Sequence, residues 1–184
     1  MDDFENGFWV FGYGSLLWNP EFDFVDHAPA TLTGYARSFC MWSIHHRGSV
    51  DVPGLVLALD ATAGATCRGV AFQVGADTAL QCLNDLRERE LVSSAYFEDH
   101  VKLHLDDGRE ITALAYVIDP KHVQYTGPLP LEQQADIIAV ATGGRGPNSA
   151  YLFNTAEHLV GMGMEDVELT VLADKVRSRL HAKS

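Results

Sequence analysis

The order of apolar patterns along this chain predicts an α+β fold. Short apolar or alternating runs, the signature of strands, fill most of residues 8–118. One stretch of helical period, residues 78–90, is inserted among them, and the chain from Pro130 onward is mostly helical. Strands first and helices later do not make the regular alternation of a doubly wound sheet. Five or six short strands in a chain of 184 residues are enough to close into a barrel. The length suits a single domain over residues 1–184 with a sizeable core.

Each element has its own warrant. Residues 8–11, Phe-Trp-Val-Phe, form a continuous apolar run, as in a strand buried on both faces. Residues 31–43 are mostly apolar and aromatic and read as a long or bent strand with Gly34 at a bulge. Pro53-Gly54 marks a turn before a buried strand at 55–59, and a turn around Gly64 precedes another strand at 67–74. Asp77 or Thr78 is placed to cap the helix that ends near Glu90. In residues 96–105, Val101, Leu103 and Leu105 alternate with Lys102 and His104, which predicts a half-buried strand. Asp106-Asp107-Gly108 turns the chain, and residues 111–118 return as the hairpin partner. Pro130 opens a helix to about Thr142, with Leu131, Ala135 and Ile138 on its core face and Gly143-Gly144 at its end. Asn148 is placed to cap a short helix carrying Leu152, Thr155 and Leu159. Leu169, Leu172, Val176 and Leu180 then give a last helix over 166–180.

Composition narrows the function classes. A net charge of −12 without any Lys/Arg cluster argues against a nucleic-acid partner. No run of about 18 uncharged apolar residues is present to span a membrane. The start, Met-Asp-Asp-Phe-Glu, is acidic where a signal peptide is basic, which points to the cytoplasm. Cys40, Cys67 and Cys82 lack C-x-x-C spacing and read as buried small residues in a reducing compartment. His100 and His104 are four apart, but on a strand that spacing is roughly 13 Å, too far for one zinc ion, so no metal site is expected.

One carboxylate breaks the pattern. Ala79, Leu83, Leu86 and Glu90 share one helix face, while Asp85, Arg87 and Arg89 fall off it and Glu88 sits toward its edge. Burying a carboxylate is costly or forces it to hold a proton. Glu90 is therefore at a helix end where the stripe meets water, or paired with a nearby arginine, or functional. A second feature is Val10-Phe11-Gly12-Tyr13-Gly14-Ser15-Leu16, in which two glycines one residue apart follow the first strand. Glycine permits positive φ and close backbone approach, and successive N–H groups in such a turn form a concavity for an anion. An ordinary strand-to-turn pair is the alternative. A dinucleotide site is not indicated, because Leu17 takes the place of the third glycine in G-x-G-x-x-G and no phosphate-loop lysine motif follows. The loop better suits a small carboxylate. Ser15 has no Asp-His partner pattern and is not read as a nucleophile. Tyr13, Tyr96 and Tyr151 are candidates to line a site, with a core tyrosine as the alternative for each. His46-Arg47 either orients substrate carboxylates or carries a structural charge.

These stretches, taken in order, resemble the ChaC family of the γ-glutamylcyclotransferase superfamily. The match includes Val10 to Leu16, Gly34-Tyr35-Ala36-Arg37-Ser38-Phe39-Cys40, His46-Arg47-Gly48 and Pro53-Gly54-Leu55-Val56-Leu57-Ala58-Leu59. It continues through Arg89-Glu90 followed by Tyr96, Gly146-Pro147, Tyr151-Leu152 and His158-Leu159, and covers Trp9 to about Leu172. The resemblance implies a small mixed β-barrel of five to seven strands with helices packed around it. It implies cleavage of glutathione to 5-oxoproline and Cys-Gly without metal or cofactor. The glycine loop would hold the γ-glutamyl group, and Glu90 would be the acid/base, with Glu88 beside Arg87 as the competing pair. A hydrophobic setting would raise the pKa of such a glutamate toward neutrality. Other γ-glutamyl amino acids or amines as substrates, or a non-catalytic regulatory or binding role, are the alternatives within this resemblance. One departure stands out: the family usually has a glycine just before the tyrosine, and here the residues are Ser93-Ser94-Ala95, small but less free to take positive φ.

Overall fold

The computed structural model describes residues 4–182. The elements in chain order are β1 (Phe8–Gly12), β2 (Asp26–Ser43), β3 (Gly54–Val74), α1 (Ala79–Glu90), β4 (Tyr96–Leu105), β5 (Glu110–Ile118), α2 (Leu131–Ile138), β6 (Thr142–Gly143), β7 (Gly146–Pro147), α3 (Asn148–Gly161) and α4 (Val167–His181). The chain divides into two compact units, Met1–Arg37 with Leu59–His122, and Ser38–Ala58 with Val123–Ser184.

Five strands close into a mixed barrel in the order β1-β3-β2-β4-β5. β1 runs antiparallel to β3, with Phe8 opposite Val74 and Gly12 opposite Val70. It runs parallel to β5, with Trp9 opposite Ala113 and Val10 opposite Leu114. β4 and β5 form the expected hairpin, from Tyr96 opposite Ile118 to His104 opposite Glu110. Within the first unit, Phe11, Leu32, Leu59, Val101, Leu103 and Val117 belong to one dry cluster, while Val10, Leu16, Leu83, Leu86, Leu114 and Tyr116 belong to another. The pleat sends successive side chains of β1 to opposite faces. Val10 and Phe11 thus serve different clusters, which explains the unbroken apolar run. The second cluster fixes α1 through Cys82, Leu83 and Leu86. Burial of each leucine contributes about 1.5–3 kcal/mol.

Several local expectations change. The turn predicted around Gly64 does not divide two strands: β3 is continuous over 21 residues, with Gly64 at φ 79 inside it. Residues 60–66 are mostly exposed, so no apolar alternation marks them, and their extension comes from pairing between β3 and β2. β2 begins earlier than expected, at Asp26, and Gly34 takes φ 89 within it. Thr78 occupies the N-cap of α1, but its side chain makes no capping bond.

In the second unit α4 packs against α2 and α3. α2 stops at Ile138 rather than near Thr142, because Thr142 and Gly143 pair with Pro147 and Gly146 as the ribbon β6-β7. Asn148 is not a cap. It begins α3 fully buried, with Nδ2 donating to the Leu55 carbonyl (2.7 Å) and Oδ1 accepting from the Leu55 N–H (2.8 Å). Asp166 does cap α4, accepting from the Leu169 N–H at 3.1 Å. Among the described residues, no helix is long and apolar enough to cross a membrane.

Candidate active site

Glu90 is the last residue of α1, and its side chain is 18% exposed. The helical stripe therefore carries it to the margin of the apolar cluster formed by Leu16, Leu86 and Tyr116, against which Leu91 and Tyr96 pack. Its setting is not purely apolar. The Arg89 guanidinium lies beside it, with Nε 3.3 Å from Glu90 Oε1. Glu88 is exposed on the same helix.

Beyond β1 the chain passes through Tyr13 and Gly14 into a short 3-10 turn, Ser15–Leu17, in which the Leu17 N–H donates to the Gly14 carbonyl at 2.9 Å. Positive φ is not what the glycines contribute: Gly14 sits at φ −132, and Gly12 is absent from the positive-φ residues. Gly12 answers to close packing, since a Cβ there would stand 3.0 Å from the Phe72 ring and 3.3 Å from the Leu16 Cβ. Gly69 does the same from the neighbouring strand, where a Cβ would press on the Gly12 carbonyl and lie 2.7 Å from the Phe11 ring.

Two arginines hold this loop. Arg37 donates from Nε to the Tyr13 carbonyl (2.8 Å) and from Nη2 to the Arg68 carbonyl. Arg89 reaches from the end of α1 to Ser15 Oγ (2.9 Å, from Nη2). From Nη1 it donates to the carbonyls of Asn19 (3.0 Å) and Pro20 (3.3 Å) and to Glu21 Oε2 (3.0 Å). The structure thus brings Ser15, Leu16, Glu90 and Tyr96 together in the first unit, while Val10 and Phe11, on opposite faces of β1, are buried in separate clusters. Tyr13 is a core residue whose hydroxyl donates to the Tyr116 carbonyl at 2.8 Å.

Tyr116 and its partners escaped the sequence reading. It is almost fully buried, and its hydroxyl donates to Glu98 Oε1 at 3.2 Å. Burial and the neighbouring charges of Glu98 and Glu90 push its pKa up. Arg87 meets both oxygens of Glu98 at 2.7 and 2.8 Å, and that bond holds the Glu98 carboxyl below its usual range. Arg37 carried a readable signal, a lone charge inside an apolar strand, of the same kind that singled out Glu90.

Tyr151 belongs to the second unit. It is buried on α3, edge-to-face with Phe39 at 5.9 Å, and Arg47 lies over its ring at 5.5 Å. Arg47 Nη1 donates to the carbonyls of Arg145 (2.8 Å) and Pro147 (3.3 Å), so its charge has a structural use. His46 is held below the usual histidine range by partial burial and by Arg145, His45 and Arg47.

The chain belongs to the ChaC-like protein family, whose pattern matches residues 8–179. The glutathione-specific γ-glutamylcyclotransferase of Escherichia coli K12 is 37% identical over 96% of this chain and 75% of its own length. γ-Glutamylcyclotransferase 2-3 of Arabidopsis thaliana is 36% identical over 92% of this chain and 88% of its own length. The crystal structure of a yeast γ-glutamylcyclotransferase specific to glutathione superposes with a TM-score of 0.87 over 96% of this chain and 98% of that one. At 24% identity, that likeness speaks to the fold.

Proposed function

We propose that this protein is a glutathione-specific γ-glutamylcyclotransferase, a lyase that releases 5-oxoproline and Cys-Gly, with Glu90 as its acid/base. The observation that carries the reading is the mostly buried Glu90 at the end of α1, tied through Arg89 to the turn that follows β1. The relatives in bacteria and plants support the reaction class. The unbroken family match from residue 8 to 179 supports the whole chain working as one domain. Three buried cysteines suit the cytoplasm. The partner in this reading is a small molecule, with neither nucleic acid nor membrane involved.

The reaction is an intramolecular aminolysis. The α-amine of the γ-glutamyl group attacks its own γ-carbonyl, a C–N bond forms, and the C–N bond to the cysteine nitrogen breaks. Water, metal and redox partner are not consumed, so atoms balance between glutathione and its two products. The α-amine is largely protonated at neutral pH, and Glu90 takes its proton before attack. The cysteine nitrogen needs a proton to leave, and the same carboxyl returns it. The nucleophile is already tethered to its target, so the remaining work is orientation, which is worth several kcal/mol when well arranged. In this reading the turn that follows β1, within the stretch Val10–Leu16, supplies that orientation. Its backbone N–H groups take the α-carboxylate and steady the tetrahedral oxyanion. Tyr96 completes the lining.

Purified protein incubated with reduced glutathione, and separately with γ-Glu-Ala, tests the proposal when 5-oxoproline is followed. Turnover of glutathione at a rate indifferent to EDTA is expected. Turnover of γ-Glu-Ala with none of glutathione would refute the substrate assignment, and no product from either would refute the activity.

A further inference from the structure

We infer that Arg89 is the positioning residue of this site, fixing the Glu90 carboxylate and the Ser15 turn in one frame. The inference rests on the reading of Glu90 as acid/base and adds what places that group. Glu90 ends a helix, where a chain has lost the support of a following turn. Ser15 begins a 3-10 turn reached from a different strand. A base and a substrate cradle carried on separate segments must keep their spacing, because a displacement of about 1 Å costs about 10²-fold in rate.

Arg89 is built for that task. Each of its three nitrogens serves a different target: Nε faces Glu90 Oε1, Nη2 holds Ser15 Oγ, and Nη1 closes on the consecutive residues Asn19, Pro20 and Glu21. Its side chain is 15% exposed. Glu21 sits at φ 60, in the left-handed region that a non-glycine residue keeps only when its surroundings over-determine it. A planar guanidinium satisfies these directions together, whereas an ammonium on a flexible stem does not.

The test measures kcat and KM for glutathione, with melting temperature as the check on folding, for Arg89→Lys, Arg89→Gln, Glu90→Gln and the double variant Arg89→Gln/Glu90→Gln. Arg89→Lys keeps the charge and is expected to stay folded, to lose kcat by at least about tenfold and to raise KM by less than about threefold. In the Glu90→Gln background, Arg89→Gln is expected to cost clearly less kcat than it does in the wild type, since the base that Arg89 aligns with the Ser15 turn is already gone. Wild-type kcat in Arg89→Lys would overturn the inference, as would an equal loss from Arg89→Gln in both backgrounds. Should Arg89→Gln fail to fold, the lysine variant decides alone. Full activity in Glu90→Gln would instead refute the acid/base reading, so the two failures are separable.

Discussion

Ser94 should be more stable as glycine. It lies at φ 56, one of two non-glycine residues with positive φ among those described, in the loop between α1 and β4. Its amide donates to the Leu91 carbonyl at 3.1 Å, which fixes the turn, and its side chain is exposed, so truncation forfeits little packing. A side chain in the left-handed region costs about 1–2 kcal/mol. Glycine removes that cost but gives back about 0.5–1 kcal/mol through its freer unfolded chain. The net gain for Ser94→Gly is about 0.5–1 kcal/mol, which in a chain of this size raises Tm by about 1–4 °C. Ser94→Val is the opposing variant, because a β-branched side chain tolerates positive φ worst, and its Tm should fall below that of the wild type. Thermal unfolding followed by circular dichroism measures all three. A glycine variant that melts lower than the wild type, or a valine variant that melts no lower, would refute the claim that backbone strain at Ser94 is being relieved.

Other outcomes follow from the same geometry. Glu90→Gln should lower kcat about 10²-fold or more while nearly retaining glutathione binding, whereas Glu88→Gln should change little; the reverse pattern in steady-state kinetics would show that the wrong carboxylate was chosen. Asn148→Ala orphans the buried N–H and carbonyl of Leu55 and should destabilise by about 2–4 kcal/mol in a urea titration. In the second unit Lys175 and Arg179 hold the Glu132 carboxyl down to about 2, from 4.5. A carboxyl depressed by folding contributes stability above its unfolded value and loses it as pH falls through the folded one. The Tm difference between wild type and Glu132→Gln should therefore be present at pH 5, shrink between about 4.5 and 2, and narrow with added salt because the pair is exposed.

Periodicity is a local property, and it located the elements with one dry and one wet face: α1 with its end near Glu90, the hairpin β4-β5, and α4. It also singled out Glu90, because an acid on an apolar stripe is legible without coordinates. The β-barrel was within reach of the strand count, and the family resemblance sharpened it. What the tertiary structure decided depends on partners far away in sequence. Residues 60–66 extend because a neighbouring strand takes up their backbone hydrogen bonds, and no side-chain pattern announces that. Asn148 looked like a cap until Leu55, 93 residues earlier, claimed both ends of its amide. Gly12 answers to the Phe72 ring and Leu16 rather than to a left-handed backbone. Arg89 read only as a neighbour of Glu90, but its reach to Ser15 spans 74 residues. Sequence determines which groups want burial, pairing or a turn; only folding decides which distant group satisfies each, because hydrogen bonds and ion pairs are set by distance in space.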